Sequence, residues 1–310
     1  MNLGTSRRGG GCRPVLRAAG CWILAGAAGW LAVDEAGLRA QPSQLPAIAS
    51  QLRHARGQHV VPLYRGWFTG DDGRIYAAYE YLNLNADETL HIPVGPDNAV
   101  APGPADQGQP TWFLPGHRHG VFAVPLPAGS AAEITWTLSI RGQTLRMPSN
   151  LGPLYEIEGL VNHGGSFPGN TPPVVRFAPD GPAGRGPAGV AREVDAAVGQ
   201  PVPLDVWVTD DGLPPPPDRG MVIRSLQQSY RRGDGSATGL TVAWTRYRGA
   251  GPMSFRDAAP PVEASRARTA ATFDAPGRYM LRALVSDGSG FDGCCWTNAY
   301  VAVDVRPAGF

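Results

Sequence analysis

The sequence contains no lysine, few cysteines and no long apolar run. All 27 basic residues are arginine, as codon bias in a GC-rich genome would produce, and the net charge is only +1. The arginines therefore do not indicate nucleic-acid binding, which is typically marked by concentrated positive charge. Four cysteines in 310 residues are too few for a disulfide framework, so packed cores must hold the chain together.

Catalytic signatures are missing as well. The chain has no Gly-x-Ser-x-Gly nucleophile elbow and no His-Glu-x-x-His zinc motif. Carboxylates occur in both halves, but no spacing pairs them for glycoside hydrolysis. The sequence therefore favours an exported, non-catalytic structural or binding module. The alternative is a metal-dependent or carbohydrate-active enzyme.

Residues 1–40 have the layout of a secretory signal peptide. Arginines precede an apolar stretch at 18–33, which is shorter than the roughly 20 residues of a membrane-spanning helix. The small residue Ala40 places the cleavage point before Gln41. We expect a secreted or periplasmic protein, or one associated with the cell surface, that keeps no membrane span after cleavage. An uncleaved anchor is the alternative.

Both halves of the remaining chain alternate between apolar and polar residues. Residues 134–140 and 204–208 show this period of two, which is typical of half-buried antiparallel strands. Turn residues such as Asp71-Asp72-Gly73 separate these segments, and no amphipathic helix of useful length is evident. The sequence predicts an all-β fold with two immunoglobulin-like β-sandwiches in series.

Segments rich in glycine, proline and polar residues set the predicted domain boundaries. We expect a linker at 41–59, a sandwich at 60–158, a second linker at 159–173 and a second sandwich at 174–306. Few contacts should then cross the second linker. Residues 213–239, which contain a run of prolines at 214–217, are predicted to form a long insertion loop.

Six segments of the second half occur in a recognisable order. They are 170–173 (NTPP), 208–214 (VTDDGLP), 240–244 (LTVAW), 249–255 (GAGPMSF), 271–279 (ATFDAPGRY) and 285–288 (VSDG). The region from about 170 to 306 thereby resembles the PKD-like β-sandwich modules of bacterial exported proteins. The resemblance implies a sandwich used as a spacer, adhesive unit or ligand binder. Residues 60–158 are only generically immunoglobulin-like.

His117 and His119 are the strongest metal-like pair. At positions i and i+2 of a strand, the two imidazoles share a face and could hold one ion. A third ligand would have to come from elsewhere, with His91 and Glu80 as candidates. An ordinary polar strand start is the alternative interpretation.

Asp210, Asp211 and Asp287 are predicted to lie at strand ends of the second sandwich. Clustered carboxylate oxygens can hold calcium, the one cofactor that the sequence suggests. Asp-Gly pairs are equally ordinary turn chemistry, so both interpretations stay open.

Cys294 and Cys295 are the two cysteines that remain after signal removal. Export to an oxidising compartment favours a vicinal disulfide between them. A soft-metal site, bonds to another chain and two buried free thiols are the alternatives.

Aromatic side chains are the candidate contacts for a protein or glycan of the cell envelope or the extracellular matrix. Trp207 faces outward by strand alternation, and Trp296 and Tyr230 lie in or near predicted loops. Exposed aromatic rings stack on sugars and anchor protein contacts. The alternative is that they close the ends of the two cores.

Overall fold

The computed structural model describes residues 54–127, 133–157, 169–213, 239–249, 251–289 and 295–308. These residues form eighteen β-strands and one turn of 3-10 helix at Pro153–Tyr155. The predicted all-β fold of immunoglobulin-like β-sandwiches is therefore confirmed. None of the helical structure in these ranges is long and apolar enough to cross a membrane. The predicted signal peptide at 1–40 lies outside the described residues.

The first sandwich contains eight strands. They are β1 (Val60–Thr69), β2 (Ile75–Asn83), β3 (Leu90–His91), β4 (Asn98–Ala101), β5 (Trp112–Phe113), β6 (Gly116–Pro125), β7 (Thr135–Ile140) and β8 (Gln143–Pro148). They form the sheets β1-β2-β6 and β4-β7-β8 and the pair β3-β5. Alternate side chains point inward, so Tyr79, Phe122 and Trp136 are buried together, with the rings of Tyr79 and Phe122 stacked at 5.4 Å.

The second sandwich contains ten strands. They are β9 (Val174–Arg176), β10 (Ala183–Gly184), β11 (Val190–Ala197), β12 (Val202–Thr209), β13 (Thr241–Arg248), β14 (Met253–Phe255), β15 (Val262–Glu263), β16 (Arg266–Phe273), β17 (Gly277–Ser286) and β18 (Trp296–Arg306). One sheet has the order β10-β9-β12-β16-β14, with β15 also paired to β16, and the other has the order β11-β18-β17-β13. Leu204, Val206, Leu281 and Val301 pack in the core between them.

Strand β11 is the longest strand that the sequence analysis did not identify. It lies at the edge of its sheet and pairs in parallel with β18. None of its residues is fully buried, and Arg192, Glu193 and Asp195 interrupt its apolar pattern. Charged residues on an edge strand limit pairing with other chains, and they also remove the alternation that identifies a strand.

The described ends of both predicted linkers pack on the sandwiches. Ala86 N donates to His54 O at 2.9 Å, and Asp87 N donates to Ala55 O at 3.0 Å. At the end of the second linker, Asn170 Nδ2 donates to a carboxylate oxygen at 2.8 Å. The boundaries at 41–59 and 159–173 otherwise stay predictions, and residues 214–238 of the predicted loop lie outside the described residues.

Candidate functional site

The two sandwiches meet where β6 contacts β17 and β18. Arg282 of β17 donates through Nη2 to the carbonyl oxygens of His119 and Gly120, at 3.1 and 2.9 Å. Asn298 of β18 donates through Nδ2 to the same Gly120 oxygen at 2.8 Å, and accepts from Arg282 Nε at 2.9 Å. Arg282 and Asn298 are both buried. A buried, charge-assisted network therefore joins the sandwiches at this point.

A second contact lies at the end of β13. Arg248 donates through Nη1 and Nη2 to the two carboxylate oxygens of Asp106, each at 2.8 Å, and through Nε to Gln109 O at 2.8 Å. Tyr247 donates its hydroxyl to Gly108 O at 2.6 Å. The first sandwich supplies Asp106, Gly108 and Gln109, and the second supplies the arginine and the tyrosine. The junction is thus held at two separate places.

Gly120 and Trp296 form the tightest part of the junction. Gly120 has a φ of +51°, and a Cβ atom built on it would lie 2.7 Å from Trp296 Cζ2 and closer still to Nε1 and Cε2. Trp296 is only 1% exposed. Its indole therefore packs directly on the glycine backbone, and this burial corrects the expectation that Trp296 offers a face to a ligand.

Two irregularities of the sheet β1-β2-β6 converge on Glu80. The register of β2 with β6 shifts between Tyr79 and Tyr81, and the register of β1 with β2 shifts between Tyr64 and Gly66. Bulges of this kind redirect side chains and are common near functional sites. The first brings His119 beside Glu80, and the second contains Arg65.

Glu80 is the centre of a polar cluster that includes His117 and His119. Its Oε2 lies 3.0 Å from His117 Nε2 and 3.5 Å from His119 Nδ1. Its Oε1 accepts from Gly120 N at 3.2 Å and lies 3.6 Å from Arg65 Nε. The two imidazole rings lie 3.8 Å apart between centroids. The two carboxylate oxygens therefore face different partners.

The cluster determines the charge of Glu80. Burial raises the pKa of this carboxyl, but hydrogen bonds from His117 and His119 and the charges of His119 and Arg65 lower it more, to about 2. The carboxylate is therefore ionised at neutral pH. Of the two third ligands considered from the sequence, Glu80 lies beside the histidines, whereas His91 stacks on Trp112 with ring centroids 5.1 Å apart.

The three aspartates of the predicted calcium site lie near one another without forming a tight ligand group. Among the described residues, Glu80, His117 and His119 alone form a group of three acidic, histidine or cysteine ligands with atoms within 4.8 Å of one another. Asp211 accepts from Thr171 N and Oγ1 at 2.7 and 2.8 Å, and Asp287 accepts from Asn170 at 2.8 Å. These two aspartates therefore tie residues 170 and 171 to the second sandwich.

Burial and like charge act together on these carboxyls. Burial raises the pKa of Asp210, and the negative charges of Asp211 and Asp287 raise it further, against the hydrogen bond from Gly212 N. Burial also raises the pKa of Asp287. Asp210 Oδ1 and Asn170 Oδ1 are buried and have no hydrogen-bond partner within the described ranges. Calcium at this edge stays a prediction.

Trp207 is the aromatic candidate that stays partly exposed. It is partly buried on β12, opposite Arg266 of β16, whose guanidinium lies 4.4 Å from the indole centroid. Arg266 is in turn paired with Asp205 at 2.7 Å. Tyr230 lies outside the described residues.

The cysteine pair is described only in part. Cys295 is fully buried and takes part in a disulfide. Cys294 lies outside the described residues, so the vicinal bond between the two stays a prediction.

The residues that sequence reasoning missed are those of the junction. Alternation places Arg282 on the face opposite Leu281, but the pattern does not say what that face contacts. Its acceptor at Gly120 lies 162 positions earlier in the chain. An arginine in the middle of an otherwise apolar strand is the one local signal that could have marked it.

Comparisons with known proteins find only weak similarity. No family model matches the chain, and no curated protein matches it either. Among solved structures, the chain is similar to domains 4 and 5 of the S-layer protein SbsC, with 13% identity over 56% of this chain and 65% of that one, at a TM-score of 0.22.

Two further solved structures show the same weak similarity. The titin fragment A168169 has 9% identity over 80% of this chain and 98% of that one, with a TM-score of 0.22. A protein of unknown function from Porphyromonas gingivalis W83 has 7% identity over 79% and 98% of the two chains, with a TM-score of 0.24. These scores carry no argument about what the chain binds or does.

Proposed function

We propose that this chain is an exported, non-catalytic structural module whose two sandwiches act as one rigid unit in the cell envelope or outside the cell. In this proposal the second sandwich is a PKD-like module. The module contacts an envelope or matrix protein or glycan, and it needs no cofactor for that contact.

The junction between the sandwiches carries the proposal. Linked domains move independently unless their interface is extensive and well packed. Here Arg282 and Asn298 bond to the β6 backbone from one side, and Arg248 grips Asp106 at the other. Because these contacts lie at two places and include buried groups, a hinge motion would have to break several of them together.

The proposed binding surface includes the outer face of β12. Trp207 lies there next to Arg266, and the pair combines a flat ring with a planar cation. Aromatic rings stack on sugar faces and anchor protein contacts, and arginine is enriched in such contacts. This face therefore suits a glycan or a protein surface of the envelope.

The test combines localisation with retention. The exported full chain is incubated with isolated envelope from its source cell, and the retained protein is measured after washing. We expect retention, with Trp207→Ala reducing it by about 10-fold or more, as loss of an anchoring aromatic does. Tyr155→Ala, which removes a 46% exposed ring from the first sandwich, is the matched control and should leave retention unchanged.

Two results would contradict the proposal. One is a wild-type protein that stays in the cytoplasm or washes completely off the envelope. The other is equal retention of wild type and Trp207→Ala, which would exclude the β12 face. Separate digestion of the envelope with protease and with glycan hydrolases identifies the component that is bound.

The second candidate is a metal-dependent enzyme, and the cluster of Glu80, His117 and His119 is the observation that favours it. Two imidazoles and a carboxylate are the protein ligands of several hydrolytic zinc sites. Hydrolysis of ester, peptide or glycoside substrates by the wild type, and its loss in Glu80→Gln, would favour this candidate over the structural one.

A further inference from the structure

We infer that Glu80, His117 and His119 bind one divalent transition-metal ion of the zinc class on the outer face of the sheet β1-β2-β6. This inference goes beyond the proposed structural role and does not depend on it. It rests on the positions of three ligand atoms and on the contacts that hold them.

The ligand atoms lie close to the spacing that a metal ion requires. Zinc bonds of about 2.0–2.2 Å place adjacent tetrahedral ligands about 3.3–3.6 Å apart. His117 Nε2 and His119 Nδ1 lie 3.0 and 3.5 Å from Glu80 Oε2, and all three atoms lie within 4.8 Å of one another. Small side-chain rotations are therefore enough to complete three of the four positions.

The ligand types select the class of ion. Imidazole nitrogens suit zinc, copper and nickel, whereas magnesium and calcium prefer sites made of oxygen atoms alone. The ionised carboxylate of Glu80 adds one negative charge, and its other oxygen, Oε1, is occupied by Gly120 N and Arg65. The carboxylate is thus directed to bind through Oε2 alone.

Surrounding contacts hold two of the ligands in place. Gly120 N and Arg65 fix the carboxylate of Glu80. Arg282 of the second sandwich donates to the carbonyl of His119 at 3.1 Å and so fixes the backbone that carries this ligand. Such outer contacts orient ligands and raise metal affinity, and Arg282 is in this sense a positioning residue.

The site is open to ions from solution. The exposed fractions of the side chains are 5% for Glu80, 23% for His119 and 40% for His117. The carboxylate is therefore shielded, and the two histidines form the solvent-exposed part of the site. A fourth position remains for water or for a group from a partner. Without a metal, the same residues are simply an ion-pair cluster, and the experiment must separate the two cases.

The first experiment is calorimetric titration of the full chain, purified without a histidine tag and free of metal, with zinc chloride. We expect one zinc per chain. Glu80→Gln, His117→Gln and His119→Gln should each weaken binding by about 10-fold or more. His54→Gln, which changes an exposed histidine away from the cluster, should bind zinc as the wild type does. Circular dichroism checks that each variant is folded.

The second experiment needs no variant, so a folding defect cannot obscure it. X-ray absorption at the zinc edge of the wild type, loaded with one equivalent, should show two imidazole ligands and oxygen atoms, without sulfur. A sulfur shell would overturn the assignment and place the ion on cysteine instead. The absence of saturable zinc uptake, or an affinity in Glu80→Gln equal to that of the wild type, would leave the residues as an ion-pair cluster only.

Discussion

Gly120→Ala is the substitution that probes the junction most sharply. The new methyl group would lie 2.7 Å from Trp296 Cζ2 and closer to two other indole atoms. Neither partner can yield easily, since Trp296 is 1% exposed and the Gly120 carbonyl accepts from both Arg282 and Asn298. The substitution therefore forces the two sandwiches apart or displaces the indole.

The magnitude has two parts. Alanine at a positive φ costs roughly 1–2 kcal/mol, partly offset by about 0.4–1 kcal/mol because alanine lowers the entropy of the unfolded chain. Overpacking a closed site adds about 1–3 kcal/mol. We expect Gly120→Ala to lower the free energy of unfolding by about 1–4 kcal/mol.

Gly116→Ala is the matched control on the same strand. Gly116 also has a positive φ, +82°, but a Cβ atom there would meet nothing within 4 Å. The loss of unfolding free energy in Gly116→Ala should therefore come from the backbone conformation alone. The difference between the two variants reports the clash with Trp296 and should be about 1–3 kcal/mol.

Urea unfolding, followed by circular dichroism and tryptophan fluorescence, measures both variants. A Trp296→Ala background should reduce the cost of Gly120→Ala to that of the control, because the clashing ring is gone. Equal destabilisation by Gly120→Ala and Gly116→Ala in the wild-type background would refute the packing of Trp296 on Gly120.

Three further outcomes are expected. Arg248→Met should lower the free energy of unfolding in urea by about 1–3 kcal/mol, because it removes charged hydrogen bonds across the junction. The control Arg306→Met breaks an exposed ion pair and should change this free energy by less than about 0.5 kcal/mol. Equal effects of the two substitutions would mean that the Asp106 contact contributes nothing. Asp210→Asn should raise the melting temperature at neutral pH in the presence of a chelator. The folded state raises the pKa of this carboxyl, so the ionised form opposes folding. The gain in melting temperature should therefore disappear as the pH falls through that pKa. A lower melting temperature of Asp210→Asn at neutral pH would contradict this prediction. N-terminal sequencing of the exported protein should begin at Gln41, and an intact Met1 on a membrane-bound product would indicate an anchor instead.

The strands were largely predictable because each depends on local alternation. Residues 134–140 and 204–208 place every second side chain in a core, as their pattern indicates. Strand β11 was not predictable in this way, since its partner β18 supplies the backbone bonds while its own side chains remain partly exposed.

The candidate site was predictable in part. His117 and His119 share a strand face by spacing alone, and Glu80 was one of two third ligands considered. The sequence could not choose between Glu80 and His91, because the choice depends on the bulge opposite Tyr79 and Tyr81, which no local pattern reveals.

The expectation of few contacts between the halves stays a prediction, but it did not anticipate the hydrogen bonds that join them. It rested on the glycine and proline content of the linker, which describes the connection and not the surfaces that meet. The surfaces are joined by side-chain-to-backbone bonds such as that of Asn298 to Gly120, 178 positions apart. Whether each half folds alone stays a prediction for separate expression.

Residual dipolar couplings of backbone amides in the full chain test the central claim most directly. If the two sandwiches form one rigid unit, the couplings of residues 60–157 and 174–306 will fit a single alignment tensor of common size and orientation. Two tensors of different magnitude, with no common orientation, would show that the sandwiches move independently and would contradict the account.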